Sequence, residues 1–334
     1  MDILEMHTLE RADSLFVAPH GDDVPLSCPA RVHTEAERGR RVLVVALFEP
    51  AGTDGKAADA VRRLGASYLG AGLPAARDRR AKHAPSSPPT ERGPEDEDVL
   101  IAAAMLLAEI GPRVEAVHIH APLGLGSSVD HDLAYDASVR AFATGAGRNL
   151  FLYEERPEAF VPGAVRTRLA LLGARLPPAG ESAAPRARLA SMLWRVNEPN
   201  RLRDDAGGLR GRLATIGTAR RRWRTARAWN PLRAWGPRLQ PIVHAADEEA
   251  RSLAREVAEL VLPRDRKGRP RAAQRFGTRA DRAAKALGAP YHAERLWLFL
   301  PSGDGLPEVR HPLEEEEDAS PSPRGLPDSR GHGH

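Results

Sequence analysis

The sequence of 334 residues holds a single cysteine, Cys28, which excludes an intramolecular disulfide and any cysteine-built zinc module. Lysine is scarce too. Lys56, Lys82, Lys267 and Lys285 are the four lysines among 49 basic residues, so 45 are Arg. Aromatic residues make up 5%. Apolar runs are short and broken by charge, which excludes a spanning helix. Residues 1–13 mix acids, His and Arg, with no apolar segment of a secretory signal. A reducing cytoplasm is therefore the expected compartment.

What is present suffices for a folded body. Hydrophobic residues make up 42%, enough for a core and too many for wholesale disorder. The net charge of +4 is the sum of unlike parts. Residues 201–238 hold 11 Arg against Asp204 and Asp205, a local +9. Residues 301–334 hold eight acids against three Arg, a local −5, so the rest is neutral. The tail, with six Pro and the run 314–318, is expected to be disordered.

Up to residue 155, strand and helix signals alternate. Strands are expected at 14–18, 41–48 (RVLVVALF), 67–73, 114–121 and 149–154, and helices at 54–64, 96–110 and 131–143. This alternation implies a Rossmann-like α/β fold, a mostly parallel sheet with helices on both faces. Residues 77–94 read as a loop. Farther on, helices are expected at 163–176, 183–196, 247–262 and 282–287, and a strand at 295–300 (RLWLFL). The organisation expected is one catalytic domain over 1–300, a helical basic insertion at about 197–240, and the tail 301–334.

The first strand runs into Pro19-His20-Gly21-Asp22-Asp23. In an open α/β sheet, ligands bind outside the carboxyl ends of the strands. An imidazole and two carboxylates there can present metal ligands or bases to one point, with Gly21 allowing a tight turn. The bland alternative is that Asp22 or Asp23 caps the next helix. A second cluster, Asp130-His131-Asp132, follows the strand 114–121, and a cap explains it equally well when it is taken alone. Together the two clusters supply three N/O ligands and an open position, the requirement of a catalytic zinc site. No G-x-G-x-x-G follows the first strand, and carboxylates there would repel a pyrophosphate, so a dinucleotide site is disfavoured.

The stretch Ala18 to Cys28 (APHGDDVPLSC) resembles the first motif of the LmbE/PIG-L family of zinc-dependent N-acetyl-sugar deacetylases, in the branch with the pattern PHxDDAVLSCG. Gly124 to Asp136 (GLGSSVDHDLAYD) resembles that branch's GxGxHVDHxxxxxA motif, residues 153–157 (YEERP) its YEDxP element, and residues 291–297 (YHAERLW) its late AERxW element. The resemblance implies that His20, Asp23 and His131 bind zinc. It implies that Asp22 is the general base on zinc-bound water, and that Asp130 orients the His131 loop or another ligand. The implied substrate is an acetylated amino sugar or glycoconjugate, and oligomeric state is left open.

Three departures stand out. Val24 replaces the Glu of the commoner first motif, and Pro29 replaces the Gly after Ser-Cys. Ser128 stands where the family has the histidine that stabilises the oxyanion, and losing one such donor typically costs roughly 100- to 1000-fold. Ser128 therefore keeps open a second reading, a catalytically impaired member that binds glycan, lipid or a partner. His118 and His120, which share a strand face, are either helpers at the site or ordinary strand residues. Cys28 reads as a small packed side chain.

Trp223, Trp229 and Trp235 recur every six residues within the Arg-rich segment. This segment suits a lid over an anionic or glycan substrate, an anionic membrane surface, or, least of all, nucleic acid. A solvated Arg-rich linker is the plain alternative.

Overall fold

The computed structural model describes residues 11–52, 55–80, 92–125, 129–143, 148–160, 164–176, 236–262, 271–286 and 292–300. Ser128, the helix expected at 183–196, the Arg/Trp segment up to residue 235 and the tail lie outside the described residues.

The chain order is β1 (Ser14–Ala18), α1 (Asp23–Ser27), α2 (Pro29–Glu37), β2 (Val42–Ala46), α3 (Lys56–Arg63), β3 (Ser67–Gly70), α4 (Ala76–Arg80), α5 (Glu95–Val114) and β4 (His118–Pro122). It continues with α6 (Val129–Phe142), β5 (Asn149–Tyr153), α7 (Ala164–Leu171), β6 (Arg238–Ala245), α8 (Glu248–Val261), α9 (Arg271–Ala286) and β7 (Ala293–Leu300). The seven strands form one mixed sheet in the order β3-β2-β1-β4-β5-β7-β6. Strands β1 to β5 pair in parallel, whereas β7 runs antiparallel to β5 and to β6. This is the α/β architecture expected from the alternation. The strand order reverses between β1 and β4, which puts a crevice outside their carboxyl ends.

Every residue of β1 and β2 is buried, as their unbroken apolar runs require. Phe16, Ala18, Val44 and Ala46 join Val24, Val32, Val61 and Val257, from α1, α2, α3 and α8, in one core cluster. Leu15, Val17, Leu43 and Val45 point to the other face and are equally buried. Helix α6 packs on β1 and β4, and α5 packs on α6. Among the described residues no helix is long and apolar enough to cross a membrane.

Several boundaries differ from expectation, each for a physical reason. Helix α5 does not stop at Gly111 but runs on through Pro112 to Val114, because its buried stripe Leu100, Ala103, Leu107, Ile110, Val114 continues at helical spacing. It ends at Glu115, whose φ of 53° is left-handed. Gly111 serves packing instead, since a Cβ there would lie 2.7 Å from the Phe142 ring. Strand β4 accordingly begins at His118 rather than at residue 114. Residues 77–80, expected as loop, belong to α4, and α9 begins well before residue 282. Strand β6 starts inside the segment assigned to the basic insertion. It is half-exposed and contains Pro241, which an edge strand tolerates. At Cys28 (φ −140°, ψ 43°) the chain breaks between α1 and α2, so that Pro29 opens α2 at a position where its missing N–H costs nothing.

Candidate metal centre

The chain leaves β1 and turns through His20 and Gly21 into α1. Gly21 is required less by its backbone angles than by crowding, because a Cβ would sit 2.5 Å from Ala57 Cβ and 2.9 Å from the Tyr68 hydroxyl. Asp23 folds back on the turn, where its Oδ2 accepts the His20 backbone N–H at 2.8 Å and lies 3.4 Å from His20 Nδ1. Asp22 occupies the N-cap position of α1, but its side chain makes no capping hydrogen bond. The capping alternative therefore does not account for this carboxylate.

The first turn of α6 delivers the second cluster. His131 Nε2 lies 3.9 Å from Asp23 Oδ1, the rings of His20 and His131 are 5.5 Å apart, and one ligand atom from each of His20, Asp23 and His131 falls within 4.8 Å of the others. Each imidazole is held at its opposite nitrogen. His20 Nε2 is 3.2 Å from Asp130 Oδ2, and His131 Nδ1 is 3.3 Å from Glu155 Oε1. A neutral imidazole that donates from its outer nitrogen presents a lone pair at the inner one. Asp130 thus serves His20 rather than the His131 loop. Glu155, part of the YEERP element but given no role by the sequence, accepts backbone N–H groups from Leu123, Gly124 and Leu125 at 3.0, 2.7 and 2.8 Å. It fixes His131 and the strand-to-helix loop together.

The electrostatics call for positive charge. Burial opposes a charged His20, yet its hydrogen bonds to Asp130 and Asp23 outweigh burial and push its pKa up to about 10. His131 likewise rises to about 9 against burial, through Asp23 and Glu155. Asp22 is pushed up by burial and by the like charge of Asp23. Four carboxylates (Asp22, Asp23, Asp130 and Glu155) around two imidazoles make a donor set that fits a divalent cation.

The two later motifs lock this arrangement from behind. Glu154 accepts Arg295 Nη2 at 2.7 Å and Trp297 Nε1 at 2.8 Å. The Arg156 backbone N–H donates to Ser27 Oγ at 3.0 Å, and its guanidinium donates to the Ala293 carbonyl. Glu294 accepts the Ala30 and Arg31 backbone N–H groups at 2.7 and 2.8 Å, which caps α2 from β7.

His118 and His120 do not reach the centre. His120 is stacked between Phe16 (4.1 Å) and Phe151 (5.0 Å) on the sheet face that packs against α2, and burial drives its pKa far down. Of the two readings open in the sequence, they are ordinary strand residues rather than helpers at the site. Cys28 is buried with its thiol pushed up by burial, in keeping with a packed side chain.

No family model matches the chain, and no curated protein matches it. Solved structures do. A deacetylase in complex with teicoplanin, from the teicoplanin biosynthesis pathway, superposes with a TM-score of 0.54 at 16% identity, over 87% of this chain and 99% of that one. A zinc-inhibited form of teicoplanin deacetylase gives 0.52 at 14% identity, with the same coverage. In fold, this chain is similar to the teicoplanin deacetylases.

Proposed function

We propose that the chain is a zinc-dependent hydrolase that removes an N-acetyl group from an amino-sugar-containing substrate such as a glycoconjugate. The observation that carries this reading is the convergence of His20 Nδ1, Asp23 and His131 Nε2, with each outer nitrogen gripped by a buried carboxylate. His20, Asp23 and His131 would hold the ion. Zinc bound there supplies a Lewis acid for the amide carbonyl and makes water a better nucleophile near neutral pH. Asp22, beside the ligands and not used as a cap, takes a proton from the attacking water and passes it to the leaving nitrogen. Attack on the acetyl carbon breaks the C–N bond and gives acetate and a free amine. Asp130 holds the His20 ring, and Ser128, which stands in the sequence where the family has its oxyanion-stabilising histidine, would offer a hydroxyl as the donor. The deacetylase domain spans 1–300, with the basic insertion at about 197–240, and the acidic tail follows.

The test measures bound zinc and acetate release in the wild type, Asp22→Ala and His20→Ala. Asp22→Ala is expected to keep zinc and lose activity, and His20→Ala to lose zinc. Wild-type protein that cannot take up zinc would sink the assignment.

A further inference from the structure

Asp130, the carboxylate facing His20, is itself held by a buried cation from another element. Arg79 on α4 places Nη1 3.1 Å from Asp130 Oδ1, while its Nε and Nη2 lie 2.8 and 2.6 Å from Asp96 Oδ1. Asp96, in the first turn of α5, also accepts the Gly93 backbone N–H at 2.8 Å. The Ala76 backbone N–H donates to Asp130 at 3.0 Å, so the short helix α4 grips this carboxylate twice. The side chains of Arg79, Asp96 and Asp130 are 5%, 0% and 3% exposed. The Arg79 guanidinium lies over the Phe48 ring at 5.7 Å, and the same ring meets His20 at 6.3 Å.

Charge therefore alternates along Asp96, Arg79, Asp130 and His20. A pair built only to tie α4 to α5 needs Asp96 and Arg79 alone. The second arm, to Asp130, couples the pair to the imidazole. Without it, this buried carboxylate loses the guanidinium on its far side from His20 and keeps the imidazole 3.2 Å away on the other. We propose that Arg79 is a positioning residue of the metal centre, which acts through Asp130 to hold the His20 ring with Nδ1 toward Asp23. This inference rests on the reading of the site as a metal centre.

The experiment is a zinc competition titration against a chromophoric chelator, with melting of the metal-free proteins as the control for folding. Arg79→Met is expected to weaken zinc binding roughly 10- to 100-fold, the usual cost of losing a partner behind a ligand. Arg79→Lys should fall between Arg79→Met and wild type, because an ammonium keeps the charge but cannot bridge two carboxylates. Asp130→Asn should weaken binding as well. The double variant Arg79→Met/Asp130→Asn should be no weaker than the worse single one, because both act on the same ring. Zinc affinity of Arg79→Met within about twofold of wild type, or losses that multiply in the double variant, overturns the proposal. If Arg79→Met does not fold, Arg79→Lys takes its place, and wild-type affinity in that variant overturns the proposal. Failure of the wild type to bind zinc is a separate outcome that removes the metal-centre reading itself.

Discussion

His20 and His131 are each gripped at the nitrogen facing away from Asp23, but by carboxylates of different origin. Asp130 sits next to His131 in sequence yet serves His20, whereas Glu155 follows β5 and, among the described residues, accepts from three backbone N–H groups and faces His131. Glu155→Gln turns one of its two oxygens into a donor facing other donors. It should weaken zinc binding about 10- to 100-fold, measured by chelator competition. Wild-type affinity would show that the backbone of the loop alone fixes His131. Ser128→His restores a stronger oxyanion donor and should raise kcat about 100-fold or more at equal zinc content. No activity in either form would favour the impaired, ligand-binding reading. The His20-Gly21-Asp22-Asp23 and Asp130-His131 clusters were legible in the sequence because each is local and follows a strand. The pairing of Asp130 with His20 and of Arg79 with Asp130 was not, since those partners are 110 and 51 residues apart and only the sheet order brings them together.

At the level of elements, the strands β1, β2 and β5 could be read because burial on both faces leaves an unbroken apolar run. Edge strand β6 could not, because its exposed alternate positions and Pro241 carry no such pattern. Glycine misled in one place. Gly111 reads as a helix stop, but it marks where α5 comes close to Phe142. Two effects compete in Gly111→Ala. Alanine favours the helix by about 1 kcal/mol, whereas overpacking a filled core costs about 1–3 kcal/mol. Phe142 is 1% exposed and its ring has little room to move, so the clash should win and the urea midpoint should fall. A raised midpoint would mean that the two helices can separate freely.

For the whole molecule, the ring of contacts that joins β7 to the site carries its own dependence on pH. His292 is buried beside the Arg156 guanidinium, which donates to its Nε2, and burial followed by that charge pushes its pKa down to about 2. Between about 2 and the ordinary 6.5, the unfolded chain binds a proton that the folded protein refuses. This group's contribution is therefore full above 6.5 and is lost as pH falls. Glu294, pushed up to about 7 by burial against the pull of Arg156, works in the opposite sense, and its contribution is lost as pH rises from 4.5 through 7. The two partly cancel in the wild type, so the change has to be sought in a difference. His292→Gln keeps an acceptor for Arg156 but cannot titrate. The stability of the wild type minus that of His292→Gln should therefore be constant above pH 6.5. Below it, the difference should move against the wild type by up to about 1.4 kcal/mol per pH unit. Chemical denaturation of the metal-free proteins across pH 5 to 8 measures it directly. A difference that stays flat through pH 6.5 would show that His292 takes up its proton in the folded state, and that Arg156 does not exclude it.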